Sequence, residues 1–368
     1  MAAPLVGVVV VEAANYVSGP FAGMMLADLG ATVIKVEPPG GDPFRRFRGA
    51  RLSAQWAACN RGKRSVVADL KTEAGVTALL ELVDGGDVFL SNWRPDVADR
   101  LGVGDAVLAA RNERLIRLWI TGWGSDGPAA GLPAFDTVVQ AHAGLIDATS
   151  MDGRPEVQPG YPVDKAVGAF AVQAIVAALF AREKGGGGER IDLAMLDVVA
   201  YYDFPDLLSE RVFVDEQPAD AHSRAATANR IFPASDGYFV LAPVSGSQIK
   251  GSCAAVGHPE WAAELFAEPD LLMENMHRLL PSVTMKEPLA VWLERFTAHD
   301  VPVAACLGID EHLEDPQVLW NDIYAVEDWP GVGSVRTVRH PAVAAHWGRL
   351  SSFPAPVIPG GTDAADGS

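Results

Sequence analysis

The chain has 368 residues, of which 49% are hydrophobic and 21% charged, a balance typical of globular proteins with room for two domains. Its formal net charge of −18 would repel phosphates over most of the surface, which argues against a nucleic-acid partner. No uninterrupted apolar run reaches the ~18–20 residues that span a bilayer, so no membrane partner is expected.

The cysteines and the N-terminus predict a cytoplasmic protein without a metal site. Cys59, Cys253 and Cys306 lie far apart and lack the spacing of metal ligands. The first residues, MAAPLVG, lack the basic start and apolar core of a secretory signal.

The first two hundred residues alternate short apolar runs with helical patterns, which predicts a mostly parallel sheet covered by helices. Strands are predicted at 6–11, 32–36, 88–90 and 115–120. Helices are predicted at 72–83 and at about 165–184, each ended by glycines. Residues 189–202 predict a further strand followed by a helix.

The opening strand, helix and strand look like the start of a dinucleotide-binding domain. Gly19, Gly23 and Gly30, however, do not have the G-x-G-x-x-G spacing that cradles a pyrophosphate. This difference argues against a nicotinamide-dependent dehydrogenase.

The second half predicts a smaller α/β domain. A hairpin around Asp236 and Gly237 is followed by predicted helices at 247–256, 273–280 and 288–297 and by an acidic helix near 311–317. The predicted organisation is a large Rossmann-like domain at 1–202, a linker at 203–225 and the small domain at 226–310. The chain then returns to the large domain at 311–355 and ends in a tail predicted to be disordered at 356–368.

Basic residues concentrate in one segment of this acidic chain. Because an anionic ligand would need local positive charge, the segment is either a binding site or a solvated basic face. Its members are Arg45, Arg46, Arg48, Arg51, Arg61, Lys63 and Arg64.

Five ordered blocks resemble the family III CoA-transferases, the group that includes formyl-CoA transferase and α-methylacyl-CoA racemase. The first is 19–42. The others are NRGKRSVVADLK at 60–71, SNWRPDVADRLG at 91–102, GWGSDGPAAGLPAFDTVVQAHAG at 122–144, and 159–168 with 183–196. The resemblance covers nearly the whole chain. It implies an α/β fold with a Rossmann-like large domain and a smaller α/β domain, assembled as an interlocked ring-like homodimer.

Asp164 is the predicted catalytic residue. On spacing alone it precedes a long helix, where a carboxylate caps free N–H groups and is held ionised. The resemblance matches it to the family's catalytic carboxylate. It would attack an acyl-CoA and form an aspartyl anhydride and then an aspartyl-CoA thioester, as CoA passes to a second carboxylic acid.

The resemblance also implies how CoA is bound as a substrate, with no tightly bound cofactor. Arg100 matches a phosphate contact, and Val17 and Ser18 occupy the turn beside the thiol arm. The remaining predicted contacts are Ala68, Asp69, Leu70, Lys71, Asn92, Trp93, Arg94, Ala134, Phe135 and Asp136. Without the resemblance, Lys71 and Arg94 could equally be surface charges, and Asp136 could simply cap a helix.

Three departures bear on the reaction and the substrate. The racemase branch has a His-Asp pair where this chain has Phe135 and Asp136, and a phenyl ring cannot exchange a proton; His142 is a weak substitute. Pro38 replaces an arginine of the formyl-CoA branch, for which Arg45 and Arg46 could compensate. That branch's glycine-rich flap is not recognisable at 215–235.

The sequence therefore predicts a CoA-transferase acting on an acyl-CoA and a small carboxylic acid. An acyl-CoA racemase and a non-catalytic CoA-binding protein remain as alternatives.

Overall fold

The computed structural model describes residues 3–50, 52–148, 154–214, 230–341 and 355–356. It divides into two compact units, one formed by 1–209 and 323–368 and the other by 210–322. The sequence predicted the linker from 203 and the return at 311. In the structure these two divisions lie at 210 and 323, because 203–209 pack with the first unit and 311–322 with the second.

The first unit contains a six-stranded, fully parallel sheet with the order β3-β2-β1-β4-β5-β6. This order is that of the Rossmann fold, and it reverses direction between β1 and β4. Every residue of the central strands β4 and β5 is buried, as expected where helices cover both faces. The strands are β1 Val9–Ala13, β2 Thr32–Glu37, β3 Arg64–Val67, β4 Val88–Ser91, β5 Ile116–Thr121 and β6 Arg190–Ala194.

The described part of this unit contains ten α-helices up to residue 208. They are α1 Ser18–Asp28, α2 Ala54–Asn60, α3 Glu73–Asp84, α4 Pro95–Arg100, α5 Asp105–Arg111, α6 Asp136–His142, α7 Leu145–Ala148, α8 Pro162–Glu183, α9 Met195–Tyr202 and α10 Phe204–Leu208. Helix α3 confirms the prediction closely: Thr72 is its N-cap and accepts a hydrogen bond from the Gly75 N–H.

Helix α8 packs along α1, and this contact determines where the site forms. A Cβ atom added at Gly168 would lie 2.8 Å from Phe21 Cδ1 and 3.1 Å from the Ser18 carbonyl oxygen, so a larger residue would force these neighbours to shift. Within the described residues, α8 is also the one helix long and apolar enough to cross a membrane. In this fold it contributes Val167, Ala171 and Ile175 to the main hydrophobic core.

The second unit combines a short antiparallel sheet with helices. Strand β8 pairs with β7 and with β9, and Trp292 and Phe296 lie in the core beneath them. The predicted hairpin around Asp236 and Gly237 is confirmed. The unit's elements are β7 Ile231–Pro233, β8 Tyr238–Leu241, α11 Gly246–Ala255, α12 Trp261–Ala267, α13 Leu272–Leu279, α14 Pro281–Thr284, α15 Leu289–Ala298, β9 Val303–Ala305, α16 Ile309–Glu314 and α17 Pro316–Trp320.

The chain returns to the first unit as an antiparallel pair, β10 Tyr324–Trp329 and β11 Gly333–Val338. Residues 215–229, in the segment 215–235 where the glycine-rich flap was not recognised, and all of the predicted tail 356–368 except residue 356 lie outside the described residues. Two predicted boundaries were wrong. The first strand begins at Val9 because Gly7, at φ 92°, belongs to a turn, and α8 begins at Pro162, three residues early.

Candidate active site

A cavity of about 280 Å³ lies at the carboxyl ends of four strands of the parallel sheet. The segments that follow β1, β4, β5 and β6 each contribute to its wall, and it straddles the point where the strand order reverses. Its lining residues are Asn15, Tyr16, Ser18, Asn92, Trp93, Arg94, Ile120, Thr121, Gly122, Ala130, Leu132, Pro133, Ala134, Phe135, Asp164 and Met195.

Hydrogen bonds with two side chains hold the loop between β1 and α1 in place. The Asn92 side chain accepts from the Asn15 N–H at 3.0 Å and donates to the Asn15 carbonyl oxygen at 2.7 Å. Lys35, which is fully buried, donates to the Ala14 carbonyl oxygen at 2.6 Å. This double anchoring holds Tyr16 in a left-handed conformation (φ 63°) and fixes the start of α1 at Ser18.

Asp164 lies on the cavity wall, where the N–H and the hydroxyl of Ser18 favour its ionised form. It was expected to precede α8 and cap it. Instead it lies in the first turn of α8, whose N-cap is Tyr161, and its carboxylate faces the N-terminus of α1. The positive end of the α1 dipole therefore stabilises its charge.

The carboxylate of Asp164 is not held fully ionised, contrary to the expectation from sequence. Burial, with the negative charge of Asp136, raises its pKa to about 7, and the hydroxyl and N–H of Ser18 oppose this rise. Asp164 therefore titrates near neutral pH, in the range useful to a group that must act as a nucleophile and a leaving group.

Asp136 positions Asp164 and caps α8. One of its carboxylate oxygens accepts the backbone N–H of Asp164 at 3.0 Å, and the other accepts the Gln140 amide at 2.6 Å. Gln140 is fixed in turn by the Gln158 N–H, which donates to its side-chain oxygen at 3.0 Å. Asp136 is buried and does not line the cavity, so its contact with the site runs through Asp164.

Comparison with known proteins identifies the family. A sequence profile described as "CoA-transferase family III" matches residues 5–361. The chain belongs to CoA-transferase family III. The resemblance stated from the five sequence blocks is confirmed, and the protein is an enzyme of this family.

Two relatives and one crystal structure illustrate the likeness. The chain is 36% identical over 329 residues to the acetyl-CoA:oxalate CoA-transferase of Acetobacter aceti, covering 85% of this chain and 83% of the relative. It is 30% identical to the probable fatty acyl-CoA transferase Rv3272 of Mycobacterium tuberculosis, covering 96% and 95%. A CAIB/BAIF family protein from Brucella suis superposes with a TM-score of 0.84 at 30% identity, covering 97% of both chains.

The structure of this family III CoA-transferase brings together about half of the predicted site residues. Those on the cavity wall are Ser18, Asn92, Trp93, Arg94, Ala134, Phe135 and Asp164. Outside the lining lie Val17, Ala68, Asp69, Leu70, Lys71, Arg100 and Asp136. Lys71 is exposed, and Arg100 is exposed with its guanidinium 3.6 Å from the Asp96 carboxylate. Both positions remain predictions for CoA binding.

Three of the seven residues of the basic segment form buried ion pairs in this enzyme. Arg45 donates two hydrogen bonds to Glu37 and stacks on Trp56. That Arg45 and Arg46 compensate for Pro38 stays a prediction. Arg61 pairs with Asp28, and Lys63 lies 2.7 Å from Glu12. Arg46, Arg48 and Arg64 are exposed, and Arg51 lies outside the described residues.

Sequence reasoning missed a set of wall residues that follow strand ends. Asn15, Tyr16, Thr121, Gly122 and Met195 all stand within a few residues of the carboxyl end of a parallel strand. The rule that ligands bind at this edge of an α/β sheet would have pointed to them. The remaining missed wall residues are Ile120, Ala130, Leu132 and Pro133.

The difference from the racemase branch at Phe135 is also seen at the cavity. Phe135 lies on the cavity wall, where its ring meets Tyr16 edge-on at a centroid distance of 5.5 Å. His142 is not part of the lining; its ring packs against Trp123. Among the described lining residues, there is no histidine to exchange a proton with substrate.

Proposed function

We propose that this enzyme transfers CoA from an acyl-CoA to a carboxylic acid through covalent intermediates on Asp164. The observation that carries the proposal is the position of this one carboxylate, on the cavity wall beside Ser18 at the N-terminus of α1. Family membership supplies the reaction class, and the geometry supports Asp164 as the group that reacts.

The first half of the reaction loads CoA onto the enzyme. A carboxylate oxygen of ionised Asp164 attacks the thioester carbonyl carbon, the carbon–sulfur bond breaks, and CoA leaves as the thiolate. The product is a mixed anhydride. The thiolate then attacks the aspartyl carbonyl carbon, and the donor acid leaves as its carboxylate with the bridging oxygen. CoA is now held as an aspartyl thioester.

The second half repeats these steps with the acceptor. Its carboxylate attacks the aspartyl thioester, thiolate leaves, and a second mixed anhydride forms. The thiolate attacks the acceptor's carbonyl carbon and releases Asp164 as a carboxylate. An anhydride retains the activation of the thioester, which a serine ester would largely lose, and this is why a carboxylate suits the task.

The surroundings of Asp164 suit both of its roles. With a pKa raised to about 7, Asp164 can exist as the ionised nucleophile and as the neutral acid within the physiological pH range. Ser18 and the α1 dipole stabilise the charge when Asp164 departs, and burial keeps water from competing.

CoA binding is proposed along the predicted segments. Asn92, Trp93 and Arg94 reach the cavity, and Ala68–Lys71 follow the outermost strand β3 at the carboxyl ends of the same sheet. Val17 and Ser18 would adjoin the thiol arm, and Arg100 would meet a phosphate. The homodimer and the cytoplasmic location stay predictions; ultracentrifugation of the purified chain tests the first.

Trapping the acylated side chain tests the mechanism. The enzyme is incubated with an acyl-CoA panel, treated with hydroxylamine and analysed by tandem mass spectrometry. We expect a hydroxamate at Asp164. Asp164→Asn should lose transfer by at least about a thousand-fold, whereas Glu183→Gln, at the exposed far end of α8, should behave as wild type.

Three outcomes would count against the proposal. Near-normal transfer by Asp164→Asn would remove the nucleophile. CoA binding without acyl exchange for any acid would indicate a non-catalytic homologue. Incorporation of solvent deuterium at the α-carbon of a chiral 2-methylacyl-CoA, without transfer, would indicate a racemase.

A further inference from the structure

We infer that Lys63 is a positioning residue for the reaction, which fixes the loop that places Ser18 beside Asp164. It does so with two further buried side chains, Lys35 and Glu12. The inference rests on the proposed function, because it concerns the group that reacts with the acyl-CoA. Lys63 does not line the cavity, so it acts through the loop between β1 and α1 and not on the substrate.

Two buried lysines share the carboxylate of Glu12, a residue of strand β1. Lys35 Nζ lies 3.0 Å from Glu12 Oε1, and Lys63 Nζ lies 2.7 Å from Glu12 Oε2. All three side chains are fully buried. Asp42 Oδ2 lies 3.1 Å from Lys35 Nζ, so two negative and two positive charges balance within the cluster. Buried charges paired in this way hold one geometry, since removing any of them leaves another uncompensated.

The same two lysines also hold the backbone on either side of the loop. Lys35 donates to the Ala14 carbonyl oxygen at 2.6 Å, just after β1. Lys63 donates to the Pro20 carbonyl oxygen at 2.8 Å, in the first turn of α1. Through one lysine on each side, Glu12 therefore connects the end of the strand to the start of the helix. The wall residues of the loop lie between these two carbonyl groups.

Two glycines show how closely α1 passes over the cluster. A Cβ atom added at Gly23 would overlap Glu12 Oε2 and would lie 3.2 Å from Lys63 Cε. A Cβ atom added at Gly19 would overlap the Cβ atom of Ala14. The start of α1 therefore lies directly against the cluster and against the end of β1.

The position of this first turn matters because it carries Ser18, whose hydroxyl and N–H favour the ionised form of Asp164. A hydrogen-bonding group that moves beyond about 3.5 Å from its partner loses this effect. Without Lys63, the Pro20 carbonyl oxygen and Glu12 Oε2 lose their cation. The first turn of α1 is then free to move, and the ionised form of Asp164 loses the support of Ser18.

The pH profile of the exchange reaction tests this. Wild type and Lys63→Met are each incubated with acetyl-, butyryl-, succinyl- or glutaryl-CoA and the matching ¹³C-labelled acid from pH 5 to 9. Label entering the thioester is followed by mass spectrometry. We expect Lys63→Met to raise the pH midpoint of kcat/KM by about half to one unit, and to lower kcat/KM at pH 7 by roughly three- to ten-fold.

A double variant shows whether the effect passes through Ser18. In otherwise wild-type protein, Ser18→Ala should raise the midpoint by about half a unit. In Lys63→Met, where Ser18 is already displaced, the same substitution should add less than about 0.2 units. A full half unit in both backgrounds would mean that the charge of Lys63 acts on Asp164 directly, and it would overturn the inference.

Two further variants separate position from charge and from stability. Gly23→Ala keeps every charge but places a methyl group against Glu12 Oε2, so it should raise the midpoint even if Lys63→Met does not fold. Arg182→Met is the control, because it removes another buried cation, bound to Asp87 just before β4 at the opposite edge of the sheet. It should lower the melting temperature, as Lys63→Met does, and leave the midpoint unchanged.

The outcomes separate the inference from the function on which it rests. An unchanged midpoint in Lys63→Met or Gly23→Ala, with a hydroxamate still formed at Asp164 of the wild type, would overturn the inference and leave the function. An equal rise in Arg182→Met would do the same, because the effect would then follow from lost stability. Absence of exchange with all four thioesters, and of the hydroxamate, would overturn both.

Discussion

Two groups of buried carboxylates in the same unit differ in their partners. Glu12 lies 3.0 Å from Lys35 and 2.7 Å from Lys63, and Glu37 is bound by Arg45. Burial alone would raise the pKa of Glu37, but the hydrogen bonds from Arg45 and Ser65 lower it overall. These carboxylates are compensated, and they hold the fold together.

Asp164 and Asp136 have no such compensation in the described chain. Burial and mutual repulsion raise the pKa of Asp164 to about 7, and only hydroxyl, amide and N–H donors approach the pair. The comparison distinguishes carboxylates whose ion pairs stabilise the fold from a carboxylate that can take part in the reaction. A reactive carboxylate must be able to lose its charge to an acyl group, and a cation bound to it would oppose that step.

The largest expected change in stability concerns the buried carboxylates that are paired with a lysine or arginine. Lys35→Ala removes the cation shared by Glu12 and Asp42, leaving Lys63 beside Glu12, and should lower the free energy of unfolding by about 3–5 kcal/mol. Urea unfolding followed by circular dichroism measures this. The control is Arg111→Ala, which removes an exposed pair with Asp84 and should cost about 1 kcal/mol or less. Similar losses in both variants would contradict the comparison.

Removing the uncompensated charge of Asp164 should change the free energy of unfolding in the opposite direction. A raised pKa means that ionising Asp164 destabilises the folded state as pH rises from about 4 through 7. Asp164→Asn removes this penalty and should stabilise the protein at pH 8 by roughly 1–3 kcal/mol, allowing for partial exposure. The gain should disappear near pH 4 in thermal or urea unfolding. Destabilisation at pH 8 would argue against an uncompensated charge.

Asp136→Asn tests the repulsion between the two carboxylates. It keeps an oxygen for the Asp164 N–H but removes the neighbouring charge, so the pKa of Asp164 should fall. We expect the pH midpoint of kcat/KM, near 7 in the wild type, to drop by about one unit. Because the Gln140 amide also loses its acceptor, kcat should fall several-fold. An unchanged midpoint would assign Asp136 a purely structural role.

The smallest expected effect comes from Ser18→Ala, which removes a hydroxyl that favours the ionised form of Asp164. The same midpoint should rise by about half a unit, and kcat/KM at pH 7 should fall roughly three-fold. The melting temperature should stay close to that of the wild type. A fall in the pH midpoint of kcat/KM would contradict this prediction.

Sequence patterns could predict elements whose local signals agreed with the fold. The capped helix from Glu73 and the buried strand at Val88–Ser91 are two examples. The site was harder. Asp164 was found through its matched motif, but its partner Ser18 lies 146 residues away in sequence and depends on the α1–α8 packing at Gly168. The buried ion pair of Arg45 likewise could not be predicted from the basic segment of the sequence, because tertiary contacts determine which of its residues are buried.

Isotope transfer tests the central claim most directly. In the proposed reaction, one oxygen of the acceptor carboxylate becomes the anhydride bridge and remains on the enzyme. With an acceptor acid labelled with ¹⁸O in both oxygens, tandem mass spectrometry should find a gain of about 2 Da at Asp164 after a single turnover, with Asp136 unlabelled. Turnover that leaves Asp164 unlabelled would contradict the account.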